Sequence, residues 1–188
     1  MLVIFITFAL LSFFVSNRLK SKFEKYSQVG LSMSGAEVAK RMLQDNGIYD
    51  VTIRPVDGTL TDHYNPTDKT VNLSKDVYYG QSVSAAAVAA HETGHAIQHA
   101  TAYSMLELRT ALVPLQNISS KILNIIFIAM FAGAIFLPNI MPMELALQII
   151  VAAYAIFALF AVVTLPVEIN ASQRAIAWLT GSGIIAGK

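Results

Sequence analysis

Apolar positions along the chain fall into three long runs, separated by stretches of mixed character. Met1 to Ser16 is apolar and uncharged, and Asn17-Arg18-Leu19-Lys20-Ser21-Lys22 closes it. Ile122 to Leu137 is the second run, flanked by Lys121 and Pro138. The third extends from Glu144 or Leu145 to Leu165, with Pro166 after it. A helix needs roughly 17–25 such residues to cross a bilayer. The first run is slightly short, but Leu19 and the aliphatic stems of Arg18 and Lys20 extend it by snorkelling. Its basic residues follow the apolar run, whereas a cleaved signal peptide carries them in front. It therefore reads as an anchor, with its N-terminus outside and its basic end in the cytoplasm. The joint Pro138-Asn-Ile-Met-Pro-Met143 is too short for a domain, so the second and third runs form a hairpin. A hairpin returns to the side it left. Residues 91–95 and the segment beyond Pro166 then share the cytoplasmic side.

The polar-to-mixed region carries shorter periodicities. Ser34-Gly-Ala-Glu37 has the form of a capping box, and Val38, Ala39, Met42 and Leu43 give the helix after it one apolar stripe. Asp50 to Pro55 alternates as a strand does. Thr59 to Tyr64, the turn Asn65-Pro-Thr-Asp68 and Lys69 to Leu73 read as a hairpin or two adjacent strands. Ser82 or Ser84 caps an alanine-rich helix reaching about Ala100. The resulting division is an anchor over 1–20, a mixed region over 21–120, a membrane hairpin over 121–166 and a cytoplasmic segment over 167–188. The tail Thr180 to Lys188 reads as weakly structured.

Composition sharpens this picture. The chain of 188 residues is 55% hydrophobic and 13% charged, where soluble domains carry about 25% charged residues. That deficit favours a membrane protein with the bilayer as partner. A net charge of +1 gives no electrostatic basis for a nucleic-acid partner. Cysteine is absent, so a metal here must use His, Asp or Glu. The histidines are His63, His91, His95 and His99.

His91-Glu-Thr-Gly-His95 has the pattern H-E-x-x-H. Two histidines four apart share a helix face and can hold one Zn²⁺, while Glu92 is placed to act as general base. A catalytic zinc usually takes a third protein ligand and keeps one position open. His99 lies eight residues past His91, roughly 12 Å along a straight helix, too far for an ion centred between His91 and His95. Glu168 is the favoured third ligand, because a carboxylate at a membrane boundary is costly unless hydrated or bound. Asp62 and His63 compete with it. A second electrophile would come from His63, Tyr64, Tyr103 or Arg174, with His63 favoured for its polar surroundings. The strands over 59–73 offer an edge where an extended substrate can pair.

These residues resemble a known family, the bacterial membrane-bound neutral zinc metallopeptidases of the YugP type. The likeness covers almost the whole chain. It is carried by residues 34–41, Asp50-Val51, Leu60-Thr-Asp-His-Tyr64 with Pro66, Val71-Asn-Leu-Ser74, residues 90–99, residues 109–114, and Leu165 to Ser172 with Arg174-Ala175. Glu168-Ile-Asn-Ala-Ser172 is also similar to the E-x-x-A-D element of membrane metallopeptidases that process heat-shock and prenylated substrates. There the glutamate is the third zinc ligand, which corresponds to Glu168. The departure is Ser172, where those families carry aspartate. Members of the YugP type usually have a further hydrophobic segment beyond the position of Lys188.

The resemblance implies a membrane-anchored, zinc-dependent peptidase. With the apolar runs, the expectation is an α-helical membrane protein with a small α+β zincin-like catalytic region and three transmembrane helices, a multi-pass zinc metalloendopeptidase of the cell membrane with a cytoplasmic catalytic region. Its substrates would be membrane or membrane-proximal polypeptides. The competing expectation is a non-catalytic, zinc-stabilised scaffold or adaptor. Glu92 favours the enzyme, since a structural site needs no base and usually closes with four ligands.

Overall fold

The computed structural model describes residues 2–135 and 142–185. In chain order the elements are α1 (Leu2–Ser27), α2 (Gly35–Asp45), β1 (Thr52–Val56), β2 (His63–Asn65), β3 (Thr70–Ser74), α3 (Lys75–Tyr78), α4 (Val83–Ala100), α5 (Ser104–Ile135) and α6 (Met143–Gly181). The chain divides into two compact units, residues 1–100 with 171–188 and residues 101–170.

The first unit is built around α4. Ser82 opens this helix, its hydroxyl accepting the Ala85 amide at 3.3 Å. The alanine-rich start buries Ala85, Ala86, Ala89 and Ala90 against α2, which contributes Val38, Ala39, Met42 and Leu43. Alanine lets two helix backbones approach closely at little cost in side-chain entropy. The expected capping box starts α2: the Ser34 amide donates to Glu37 Oε2 at 2.7 Å, and the Glu37 amide donates to Ser34 Oγ at 3.3 Å. The bond from the Ser34 amide, with a second from the Ser34 hydroxyl at 3.0 Å, holds the Glu37 carboxyl below its usual value.

Three strands in the order β1-β3-β2 lie beside these helices. β1 pairs with β3 in parallel, and β2 with β3 antiparallel, Tyr64 opposite Val71. The strand expected from Thr59 begins only at His63. Gly58 at φ +104° and Leu60 at φ +59° turn the backbone away from extension just before it. Asp62 then anchors the turn, accepting the Ser74 amide at 2.7 Å and the Ser74 hydroxyl at 3.0 Å. The end of α6 completes this unit. Ala175 and Leu179 enter the core, and Trp178 Nε1 donates to Asp45 Oδ2 at 2.9 Å. The lone tryptophan is thus a packing residue tied to α2.

The second unit is made of the two longest helices, α5 and the part of α6 up to Asn170. Both present large apolar side chains outward, among them Ile125, Ile128, Phe131, Val151 and Val162. The Arg109 guanidinium of α5 lies 5.9 Å from the centroid of the Phe160 ring of α6. Arg109 makes no ion pair with Glu107 among the described residues. Each helix contains a proline, Pro114 and Pro166, and continues through it. A proline removes one backbone donor, which long apolar helices tolerate. The helical end expected at Leu165 therefore does not occur, and α6 reaches Gly181.

Three spans are corrected to two. Among the described residues the helices long and apolar enough to cross a membrane are Ser104–Phe131 and Met143–Gly181. In α1 the apolar stretch stops at Ser16 and charged residues occupy the remaining turns. Sixteen residues rise only about 24 Å, short of a hydrocarbon core about 30 Å thick. The joint expected at 138–143 lies largely in 136–141, outside the described residues, as does the last part of the tail, 186–188.

Candidate metal centre

The 91–95 motif occupies the middle of α4, where helical periodicity puts His91 and His95 on one face. Their rings stand edge to face, with centroids 4.8 Å apart. Each imidazole is oriented through Nδ1. His95 Nδ1 is 3.0 Å from Gln98 Oε1, one turn further along α4. An amide oxygen only accepts, so this bond puts the proton on Nδ1 and leaves the Nε2 lone pair for a metal. His91 Nδ1 is 3.1 Å from the Ser172 hydroxyl of α6.

Gly94 explains how Ser172 comes so near. A Cβ at position 94 would stand 2.6 Å from the backbone oxygen of Ala171. Only glycine permits that approach. On the same unbroken helix, Glu168 lies one turn before Ser172, on the same side of α6. One ligand atom from each of His91, His95 and Glu168 lies within 4.8 Å of the others, so these residues could hold a metal ion. His95 is buried, and His91 and Glu168 are half-buried. Two imidazoles with one carboxylate, and no thiolate, form a donor set suited to zinc.

Glu92 is half-buried, and its Oε2 accepts the backbone N–H of Tyr64 at 3.1 Å. β2 thus reaches the middle of the motif. The Tyr64 hydroxyl is 2.7 Å from His99 Nδ1. Burial pushes the phenol up to about 12, with Asp50 and Asp68 adding to the effect. Beside this pair is a cavity of about 300 Å³ lined by Asp50, Val51, Tyr64, Lys69, Ala96, His99 and Ala100. Asp50 and Lys69 pair across it at 2.5 Å, and that bond keeps the Asp50 carboxyl below its usual value.

The other expected residues have contacts of their own. His63 is exposed, with Nδ1 2.7 Å from the Thr61 carbonyl oxygen, so this nitrogen donates. Asp62 is engaged by Ser74 rather than paired with His63. His99 bonds to Tyr64. Gln98, Ser172 and the Tyr64 amide were not singled out from sequence for the contacts they make here. Gln98 carries a readable signal, being a polar residue on the helix face that packs inward, where it needs a partner. The backbone amide of Tyr64 carries no such signal.

The geometry is that of a histidine pair and a carboxylate grouped so that they could hold a metal, with a glutamate beside them. Residues 1–188 match the family described as "Putative neutral zinc metallopeptidase", and the chain belongs to it. It is 46% identical over 190 residues to a protein of Bacillus subtilis (strain 168) named "Putative membrane protease YugP", a span covering 98% of this chain and 80% of that relative. No solved structure matches the chain.

Proposed function

We propose that this protein is a membrane-integrated zinc metalloendopeptidase. The observation that carries the reading is the close grouping of His91, His95 and Glu168 on either side of a glutamate held by β2. In this reading those three residues hold Zn²⁺ and Glu92 is the general base. A bound zinc ion would activate water and polarise the scissile carbonyl. Glu92 takes the proton released as the attacking water adds to the peptide and returns it to the departing amine. Ser172 and Gln98, bonded at Nδ1 of the two imidazoles, would orient the rings for Nε2 to take the ion. His63, one residue from Tyr64 on β2, is assigned to stabilise the oxyanion, which it does when its ring carries a second proton.

The two apolar helices support insertion in the bilayer, and in this reading the site lies on the cytoplasmic side. Membrane or membrane-proximal polypeptides are the substrates this placement favours. The zincin-like description of the catalytic region rests on a motif helix beside a small sheet with β2 at its edge.

The deciding experiment uses purified protein in detergent or liposomes with an unfolded membrane-protein substrate. Glu92→Gln is expected to retain one equivalent of zinc, read by elemental analysis, and to lose cleavage by about a hundredfold or more. Cleavage by this variant at the wild-type rate would overturn the assignment. A wild-type protein that binds zinc and cleaves nothing would favour the scaffold.

A further inference from the structure

Tyr64 grips α4 at two points. Its backbone N–H donates to Glu92 Oε2 at 3.1 Å, and its side-chain oxygen is 2.7 Å from His99 Nδ1. Glu92 and His99 are seven residues apart, two turns of one helix, on the same side. The residue doing the gripping sits in the middle of a strand only three residues long. That strand is at the edge of the sheet and pairs with β3 on one side only. A strand so short has little to hold its register besides what its side chains touch.

We infer that Tyr64 is a positioning residue for the proton-transfer step: its phenol, braced on His99, holds the β2 amide that sets the direction of the Glu92 carboxylate. The inference rests on the reading of Glu92 as general base. A backbone amide suits this task because it has no rotamer of its own and points where the strand points. The cost is that the strand itself must be held. The cavity beside Tyr64 and His99 leaves that side of the ring without close packing, so the bond to His99 does what packing does elsewhere. Tyr64 retains its proton throughout the neutral range, the phenol being pushed up to about 12, and so can donate to His99. The pairing also accounts for a histidine that does not reach the metal ligands yet lies one turn beyond them.

The test is made on the full chain, zinc-loaded, with Tyr64→Phe, His99→Phe and the double variant. A peptide-cleavage assay is expected to show kcat reduced about tenfold to a hundredfold in each, the scale of a misplaced catalytic group. KM is expected to stay within about twofold and zinc content at the wild-type level. The double variant is expected to be no worse than either single one, because both remove the same bond. His99→Gln, which offers an amide oxygen or nitrogen to the phenol, is expected to restore part of kcat. A second measurement does not depend on catalysis. Hydrogen exchange at the residue-64 amide, followed by NMR, is expected to quicken about tenfold in His99→Phe and in Glu92→Ala. Unchanged exchange in both would overturn the inference, and so would full kcat in Tyr64→Phe. If the wild-type protein cleaves nothing, the peptidase reading fails, and exchange at residue 64 still decides whether His99 braces the amide on Glu92.

Discussion

The apolar start of α4 and the outward faces of α5 and α6 come to opposite ends. α4 buries Ala85, Ala86, Ala89, Ala90 and Ala96 in a protein core. α5 and α6 leave Ile125, Ile128, Phe131, Val151 and Val162 exposed. Size accounts for the difference. Small residues allow backbones to meet, which a site needs when ligands come from different helices. Large residues facing outward need an apolar medium, because an extended surface of this kind on a soluble protein would drive association. Hydropathy marks α5 and α6 as candidate spans and leaves α4 out, and side-chain volume explains why the apolar part of α4 packs so closely.

A charge in the middle of the outward surface should give the largest effect. Val151 is 67% exposed on α6. Val151→Lys is expected to disfavour membrane insertion by about 3 kcal/mol, the cost of lysine near the centre of a spanning helix. A translocon insertion assay on the isolated α5–α6 sequence, with glycosylation sites at its ends, reads this directly. Insertion equal to wild type would mean that this face meets water, and the contrast with α4 would lose its physical basis.

Within α4 the corresponding change is one methyl group. Gly94→Ala places a Cβ where the backbone oxygen of Ala171 now lies 2.6 Å away. The helices must separate, at a cost of about 1–3 kcal/mol for overpacking. Urea unfolding should show the loss of stability, and zinc titration should show weaker binding, since Glu168 and Ser172 move with α6. Ile125→Ala, at an exposed position of α5, should leave zinc binding unaltered.

The contrast also explains what could be read from the sequence. The motif at 91–95 was legible because two histidines and a glutamate lie within five residues, and helical periodicity alone puts the histidines together. Glu168 was legible from its place at the end of an apolar run and from the resemblance at 168–172. The capping box at Ser34 and Glu37 was equally local. Two things were not. The fate of α1 depends on how many apolar turns suffice for a bilayer, and Met1 to Ser16 falls near that limit. The continuation of α6 through Pro166 is set by the packing of Val167, Ala171 and Ala175, all buried, which outweighs the local preference of proline to end a helix. The hold on Glu92 uses a main-chain group on a distant strand, and side-chain identity does not encode where such a group will point.

The smallest effect expected is at Ser172, one turn beyond Glu168 on α6. Its hydroxyl is 3.1 Å from His91 Nδ1. If His91 binds metal through Nε2, Nδ1 carries a proton and Ser172 accepts it, fixing the ring. Ser172→Ala removes that acceptor but no ligand, so zinc should still bind, about tenfold more weakly. Ser172→Asp supplies a charged acceptor, the residue found in the related E-x-x-A-D element, and should bind zinc at least as tightly as wild type. Competition with a chromogenic chelator measures both. Equal affinity in all three proteins would show that His91 is oriented by the packing of α4 alone. The division of α6 into an outward-facing part and a site-facing part would then rest on Glu168 without help from its neighbour one turn on.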